Sequence, residues 1–448
     1  MVIGLTEHTL TTATERAHQL RAQIEQSVRQ YHELTAGAES RHNRAGFKMP
    51  SGAVLNADDR TEAVLAALDL EITSGEAVTR FERAIARTMG TRNAVACNSG
   101  SSANLLAFSA LCDPTLNGHI TPGSEIITSA VGFPTTVAPI IQHGCIPVFV
   151  DIDPTTGNVD IDQLEKALSP RTRAIALAHT LGNPFRADLV REFADQHNLW
   201  LLEDNCDALG AKVGDRPTGS FGHVATVSFY PAHHITCGEG GCVGTDSVQL
   251  AAILRSLRDW GRDCWCAPGE DNRCFNRFGK QSGCLPDGFD HKYVFSRAGY
   301  NLKMSDLQAR IGLSQLTRLP VFGAARRRNW DTIHSHLSDC APISTFIAED
   351  SVTPSWFGYA FTLDPNAALD RRELQMELER RGIGSRVVFA GSLVSQPMMQ
   401  NRDCRIVGDL PHAATVTAQS LWVGVYPGLT ESDTNYIGET IRELAIVV

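Results

Sequence analysis

From about Asn93 to Thr245 the chain alternates short apolar, β-branched runs with segments of helical period. The runs Asn93–Cys97, Glu125–Ser129, Ile146–Val150, Arg173–His179, Trp200–Glu203, Val224–Phe229 and Gly241–Gly244 are predicted strands. Between them Ala103–Leu111, Ile161–Ala167 and Ala187–His197 read as helices. This alternation predicts an α/β three-layer domain with a mostly parallel sheet. Ligands of such sheets bind beyond the carboxyl ends of the strands, so residues just after each strand carry the interest. Residues 263–293 break the pattern with Gly, Pro, Asp, Asn and Cys, and so long an irregular insertion is more often functional than idle. Met304–Leu316 reads as an amphipathic helix. Beyond Arg328, helices mix with short strands at Tyr359–Leu363 and Leu421–Val425. The expected organisation is a helical extension over 1–48, a large α/β domain over 49–325 that includes the insertion, and a smaller α+β domain over 326–448.

Composition narrows the function classes. The 448 residues are 43% hydrophobic and 20% charged, as in an ordinary soluble protein with ample core. A net charge of −10 argues against nonspecific nucleic-acid binding. The stretch Thr6–Gln30 has the charge of an amphipathic helix and lacks the apolar centre of a signal peptide. No apolar run reaches the ~20 residues of a membrane span, so a cytoplasmic enzyme is expected.

Three strand ends carry candidate chemistry. Ser99, Gly100, Ser101 and Ser102 follow one strand and open a helix, where exposed N–H groups and the helix dipole favour a phosphate. Ser228 ends another strand and adds a hydroxyl. Asp204 closes the run Leu199–Glu203; a carboxylate there can hold a pyridine nitrogen protonated. Phe133 stands where an aromatic face can stack on the same ring. Five residues after Ser228 comes His233, an imidazole that moves protons near neutral pH.

These pieces resemble the sugar aminotransferases of the DegT/DnrJ/EryC1/StrS type, fold type I pyridoxal phosphate enzymes acting on nucleotide-linked keto-sugars. The resemblance runs from about residue 50 onward through SGSSANLLA, VGFPTT, EDNCDALGA, SFYPAHHIT and GYNLKMSDLQARIGLSQL. It implies a homodimer in which Asn301 reaches the neighbouring subunit's phosphate. His233 occupies the position where that family carries its lysine. Only a primary amine can tether the cofactor aldehyde, so the departure points to the sugar 3-dehydrase branch, which binds pyridoxamine phosphate (PMP) without a covalent link. The resemblance then implies His233 as base at the cofactor's aminomethyl carbon, Asp204 on the pyridine nitrogen, and loss of the sugar 3-hydroxyl. Tyr230 is a candidate to orient the base or the sugar, and Arg386 to bind a nucleotide phosphate or sugar oxygens. Trp356 reads as a packing residue.

Of twelve cysteines, four form a pattern: Cys206, Cys264, Cys266 and Cys274, spaced C-x57-C-x-C-x7-C. Four thiolates match a [2Fe–2S] cluster, a structural zinc site needs the same ligands, and free thiols are the plain alternative. The arrangement resembles the iron–sulfur form of the sugar 3-dehydrases, which implies a [2Fe–2S] cluster. Two electrons would come from a separate reductase, because the chain carries no flavin or nicotinamide fingerprint. PSGAVLNADDR, DCWCAPG and FGAARRRNW lean toward a dTDP-linked 4-keto-2,6-dideoxyhexose over CDP-linked 4-keto-6-deoxyglucose. The alternatives are a cluster-free 3-dehydrase that takes its amino group from glutamate, and a cofactor-binding regulator without catalysis.

Overall fold

Strands form where apolar, β-branched residues run unbroken: IPVFV builds one and WLLED another. The computed structural model describes residues 7–35, 46–266, 270, 272–365 and 367–446. Residues 1–6 and 36–45 of the expected extension, 267–269 and 271 of the insertion, and 366, 447 and 448 lie outside them.

Seven strands fall in chain order as β1 (Asn93–Cys97), β2 (Glu125–Ser129), β3 (Ile146–Val150), β4 (Thr172–Ala178), β5 (Trp200–Asp204), β6 (Val224–Ser228) and β7 (Gly241–Thr245). Four more belong to a second sheet: β8 (Ile343–Thr345), β9 (Gly358–Leu363), β10 (Ser385–Arg386) and β12 (Ser420–Gly424). Between the last two comes β11 (Arg405–Ile406), which returns to the first sheet. The large sheet has the order β1-β7-β6-β5-β4-β2-β3-β11. All its strands are parallel except β7, which runs against both β1 and β6. The carboxyl ends of β1, β2, β4, β5 and β6 therefore open onto one edge.

The helix Gly100–Leu111 packs across this sheet. It is apolar on nearly every side, and Leu106, Ala107, Ala110 and Leu111 join Val95, Ala176 and Val243 in one buried cluster. Each such leucine contributes about 1.5–3 kcal/mol on burial. The second sheet is antiparallel, in the order β8-β9-β12-β10. Its core joins Phe361 and Val423 to Ile333 of the helix Leu319–Leu337 and Ile441 of the helix Glu431–Ile446.

The expected helix Ile161–Ala167 is instead two 3-10 turns, Ile161–Gln163 and Glu165–Ala167. Asp160 caps the first turn and Pro170 follows the second, leaving too few residues for a nucleated α-helix. The insertion is pinched at its base, where Asp259 bridges Asn301 and Arg262 bridges Phe295.

Candidate active site

The shared carboxyl edge lines a cavity of about 400 Å³, within the usual size of a ligand site. Gly100, Ser101, Phe133, Asp204, Cys206, Ser228, Tyr230, His233 and Arg386 all face it.

Glycine makes the phosphate end possible. A Cβ on Gly100 would collide with Ser228, and one on Gly241 would strike the Ser99 carbonyl. Their absence lets β6, β7 and the helix N-terminus meet. Ser99 caps that helix, its Oγ accepting from Ser102 N at 3.0 Å. Ser99 and Ser102 also pair through their hydroxyls at 2.9 Å, so these two shape the turn while Gly100 and Ser101 face the cavity.

Asp204, at the end of β5, is 4% exposed and held from several sides. Its Oδ2 accepts from Asn104 Nδ2 at 2.8 Å and Thr136 Oγ1 at 2.7 Å. Oδ1 accepts from Cys206 N at 3.1 Å and more distantly from Thr226 Oγ1 at 3.4 Å. Thr226 in turn donates to Asn104 Oδ1 at 2.6 Å. The network fixes the carboxylate and leaves Oδ1 the less saturated oxygen. Beneath it lies His179, whose Nε2–H donates to Glu203 at 3.0 Å while Nδ1 accepts from Phe185 N at 3.2 Å. That pairing sets the tautomer. Burial alone would raise the Glu203 pKa, but His179 and the N–H groups of Gly219 and Gly222 hold it below its ordinary value.

His233 sits on the turn after β6, with Nδ1 3.3 Å from Asp207 Oδ1 but without the alignment of a hydrogen bond. Both side chains are nearly buried, 15% and 13% exposed. Phe357 walls the imidazole at 5.3 Å between ring centres. Arg326 Nη2 donates to the His233 carbonyl at 3.3 Å. Desolvation pushes this fully buried guanidinium down to about 10, with nearby Asp207 opposing the drop. The neighbouring His234 turns away, its Nε2 2.6 Å from the Ser355 carbonyl oxygen, and burial lowers its pKa well below the ordinary value.

Asn301 is exposed and bridged to Asp259, outside this chain's cavity, so the structure does not join it to the other predicted residues. Arg386 lies on β10 with its guanidinium 2.7 Å from the Ser385 carbonyl and 4.0 Å from Glu379. Tyr230 and Phe133 are each 51% exposed at the cavity mouth. Trp356 is buried and stacked on Trp330 at 4.6 Å, as a packing residue would be. The sequence reading missed Asn104, Thr136, His179, Asp207 and Arg326. All but His179 stand inside its own motifs, so the signal was present but unresolved into contacts.

The four predicted thiols do not close into one group. Cys264, Cys266 and Cys274 come together around a small cleft in the insertion. Burial raises the Cys264 thiol; at Cys266 the backbone and neighbouring thiols overcome burial and lower it. Cys206 instead lies against the active-site cavity. Burial and then Asp204 raise its thiol well above the usual value. Cys206 stands two residues past β5, on the sheet framework, and is not in the group of described residues with metal-ligand spacing in the insertion. Among the described residues the group with metal-ligand spacing is Cys264, Cys274 and His291.

Among the described residues no helix is long and apolar enough to cross a membrane. The chain is 50% identical over 440 residues to a dTDP-4-dehydro-2,6-dideoxy-D-glucose 3-dehydratase of Saccharopolyspora spinosa, covering 98% of this chain and 95% of that one. It is 34% identical over 353 residues to a GDP-4-keto-6-deoxy-D-mannose 3-dehydratase of Yersinia pseudotuberculosis, covering 79% and 87%. Among solved structures, the E. coli GDP-4-keto-6-deoxy-D-mannose-3-dehydratase with bound hydrated PLP superimposes with a TM-score of 0.80. The match is 28% identical and covers 88% of this chain and 99% of that one. By a profile match over residues 55–442, the chain belongs to the DegT/DnrJ/EryC1/StrS aminotransferase family.

Proposed function

We propose that this protein is a PMP-dependent 3-dehydrase of a nucleotide-linked 4-keto-6-deoxyhexose. One observation carries the reading: His233 faces the cavity that Asp204 and the Gly100 turn also face, and among the described residues no lysine lines it. An imidazole there can take and return a proton but cannot tether an aldehyde.

The residues fit the cofactor. The N–H groups of Gly100 and Ser101 and the Ser228 hydroxyl supply a phosphate seat, Phe133 a stacking face, and Asp204 Oδ1 a partner for a pyridine nitrogen. When bound, PMP supplies an amine for the sugar ketone and an electron-withdrawing ring. Asp204, its carboxylate held in place by Asn104 and Thr136, would keep that ring nitrogen protonated. His233 would take the proton from the aminomethyl carbon, with Asp207 Oδ1 lying 3.3 Å from its Nδ1. Tyr230 and Arg386, at the cavity edge, would hold the sugar and its phosphates. Phe357 and Trp422 wall the site and help exclude water.

The 50% identity to a dTDP-sugar dehydratase supports a dTDP-linked 4-keto-2,6-dideoxyhexose over the CDP-linked alternative. A homodimer, with Asn301 donated across it, belongs to the same reading, as does a cytoplasmic location. So does a [2Fe–2S] cluster on Cys206, Cys264, Cys266 and Cys274, supplied with electrons by a separate reductase. The gathered loop thiols support a cluster over the glutamate-driven alternative, whereas Cys206 lines the active-site cavity. Incubation with PMP, a reductase system and each keto-sugar tests the reading. The expected product is one oxygen lighter, formed from the dTDP-sugar; an unchanged sugar would contradict the assignment.

A further inference from the structure

We propose that a second, small cleft binds one ordered water that joins His233 to His234 and Arg326, and that His234 is thereby a positioning residue for the base. The cleft has a volume of about 10 Å³, near the ~10–15 Å³ that one water fills. Among the described residues, His233 alone lines both this cleft and the active-site cavity. The imidazole is therefore the partition between them. Three nitrogens of the lining residues are buried without a hydrogen-bond partner in the protein: His233 Nδ1, His234 Nδ1 and Arg326 Nε. His234 and Arg326 are only 2% and 1% exposed, so bulk solvent does not serve them. Buried polar groups are nearly always paired, and an ordered water is the usual partner where no side chain reaches.

The contacts these groups already make fix what each of the three nitrogens offers. His234 Nε2–H donates to the Ser355 carbonyl at 2.6 Å, so its Nδ1 carries a bare lone pair. Burial first, and then the Arg326 charge, keep this ring neutral. Arg326 donates through Nη1 to the Trp356 carbonyl at 3.1 Å and through Nη2 to the His233 carbonyl at 3.3 Å, which leaves Nε–H. A water accepts that N–H on one lone pair and gives one hydrogen to His234 Nδ1. Gln315 lines the same cleft, and its Oε1, with a long 3.4 Å contact from Thr236 N, takes the second hydrogen. With both hydrogens committed, the water can only accept from His233 Nδ1–H. Asp207 Oδ1 lies 3.3 Å from that nitrogen but out of line for a hydrogen bond, so it does not take this place. The proton is then held on Nδ1, and Nε2 is left bare toward the cavity, the form a base needs. Without the His234 acceptor the water is free to donate to Nδ1, which favours the tautomer with no lone pair toward the cofactor.

The water and the tautomer stand without the dehydrase reading; their effect on the reaction rests on it. A high-resolution crystal structure of the full chain tests the water. NMR of nitrogen-labelled histidine, with the rings neutral, tests the tautomer, and His233→Asn identifies the His233 signals. A water about 2.7–3.2 Å from all three nitrogens and a His233 protonated on Nδ1 are expected. His234→Phe removes the acceptor and fills its space, so the water should be lost and His233 should show both tautomers. His234→Asn, which keeps an acceptor oxygen where Nδ1 stands, should restore the single tautomer. With PMP and keto-sugar, His234→Phe should slow exchange of the aminomethyl hydrogen about tenfold or more, part of what a positioned base supplies, while PMP affinity holds. A native protein with no water in the cleft, or with His233 protonated on Nε2, would overturn the proposal without any variant. An unchanged tautomer in folded His234→Phe would do the same. Water and tautomer as expected but no exchange by the native protein would sink the dehydrase reading and leave this site standing.

Discussion

Asp207 Oδ1 lies 3.3 Å from Nδ1 of His233, two nearly buried side chains brought together from the turns after neighbouring strands β5 and β6. A carboxylate beside Nδ1 leaves the opposite ring nitrogen to act at the cavity. Asp207→Asn keeps the shape and removes the charge. Turnover should fall roughly 10- to 100-fold, a part of the ~10²–10⁴ that a positioned base supplies. PMP affinity, measured by equilibrium titration, should hardly change.

Asn104 bridges two buried groups, donating to Asp204 and accepting from Thr226. Asn104→Ala leaves both short of a partner, which costs about 1–3 kcal/mol. A lower thermal midpoint of the cofactor-free protein and weaker PMP binding are expected. Thr136→Ala, which removes one hydroxyl donor to Asp204 alone, should do less.

Gly100→Ala tests the phosphate seat. The added methyl meets Ser228, and overpacking of this kind costs about 1–3 kcal/mol. Because the strain falls where the helix turn meets β6, PMP affinity should drop about tenfold or more. Ser101→Ala, whose side chain is exposed, should bind PMP far closer to the native value.

Much of the architecture was legible because the signal was local. Asn93–Cys97, Glu125–Ser129 and Ile146–Val150 match the strands end for end, since apolar runs bounded by polar turns leave little choice. Asp204, Ser228 and His233 were legible as strand-end residues. Their supports were not, because Asn104 to Asp204 spans a hundred residues and nothing in either segment announces the contact. The cysteines show the same limit. Spacing counts four thiols but does not say which meet, and His291, seventeen residues beyond Cys274, carries no spacing signal.

Glu203 predicts a pH dependence. Its folded pKa lies below the ordinary 4.5, so the unfolded chain takes up the proton first as the pH falls. The stability it contributes is present above about pH 4.5 and is lost as the pH drops through the folded value. Glu203→Gln should flatten this acid limb in thermal midpoints recorded from pH 6 down to pH 3, while lowering stability at neutral pH. An unchanged acid slope would remove Glu203 from the account.

The central claim is that His233 moves the cofactor's proton. PMP deuterated at its aminomethyl carbon, mixed in ordinary water with protein and keto-sugar, reports that step by mass spectrometry without any reductase. The native protein should wash out one deuterium, and His233→Asn, still binding PMP, should retain both. Washout by the variant at the native rate would contradict the account.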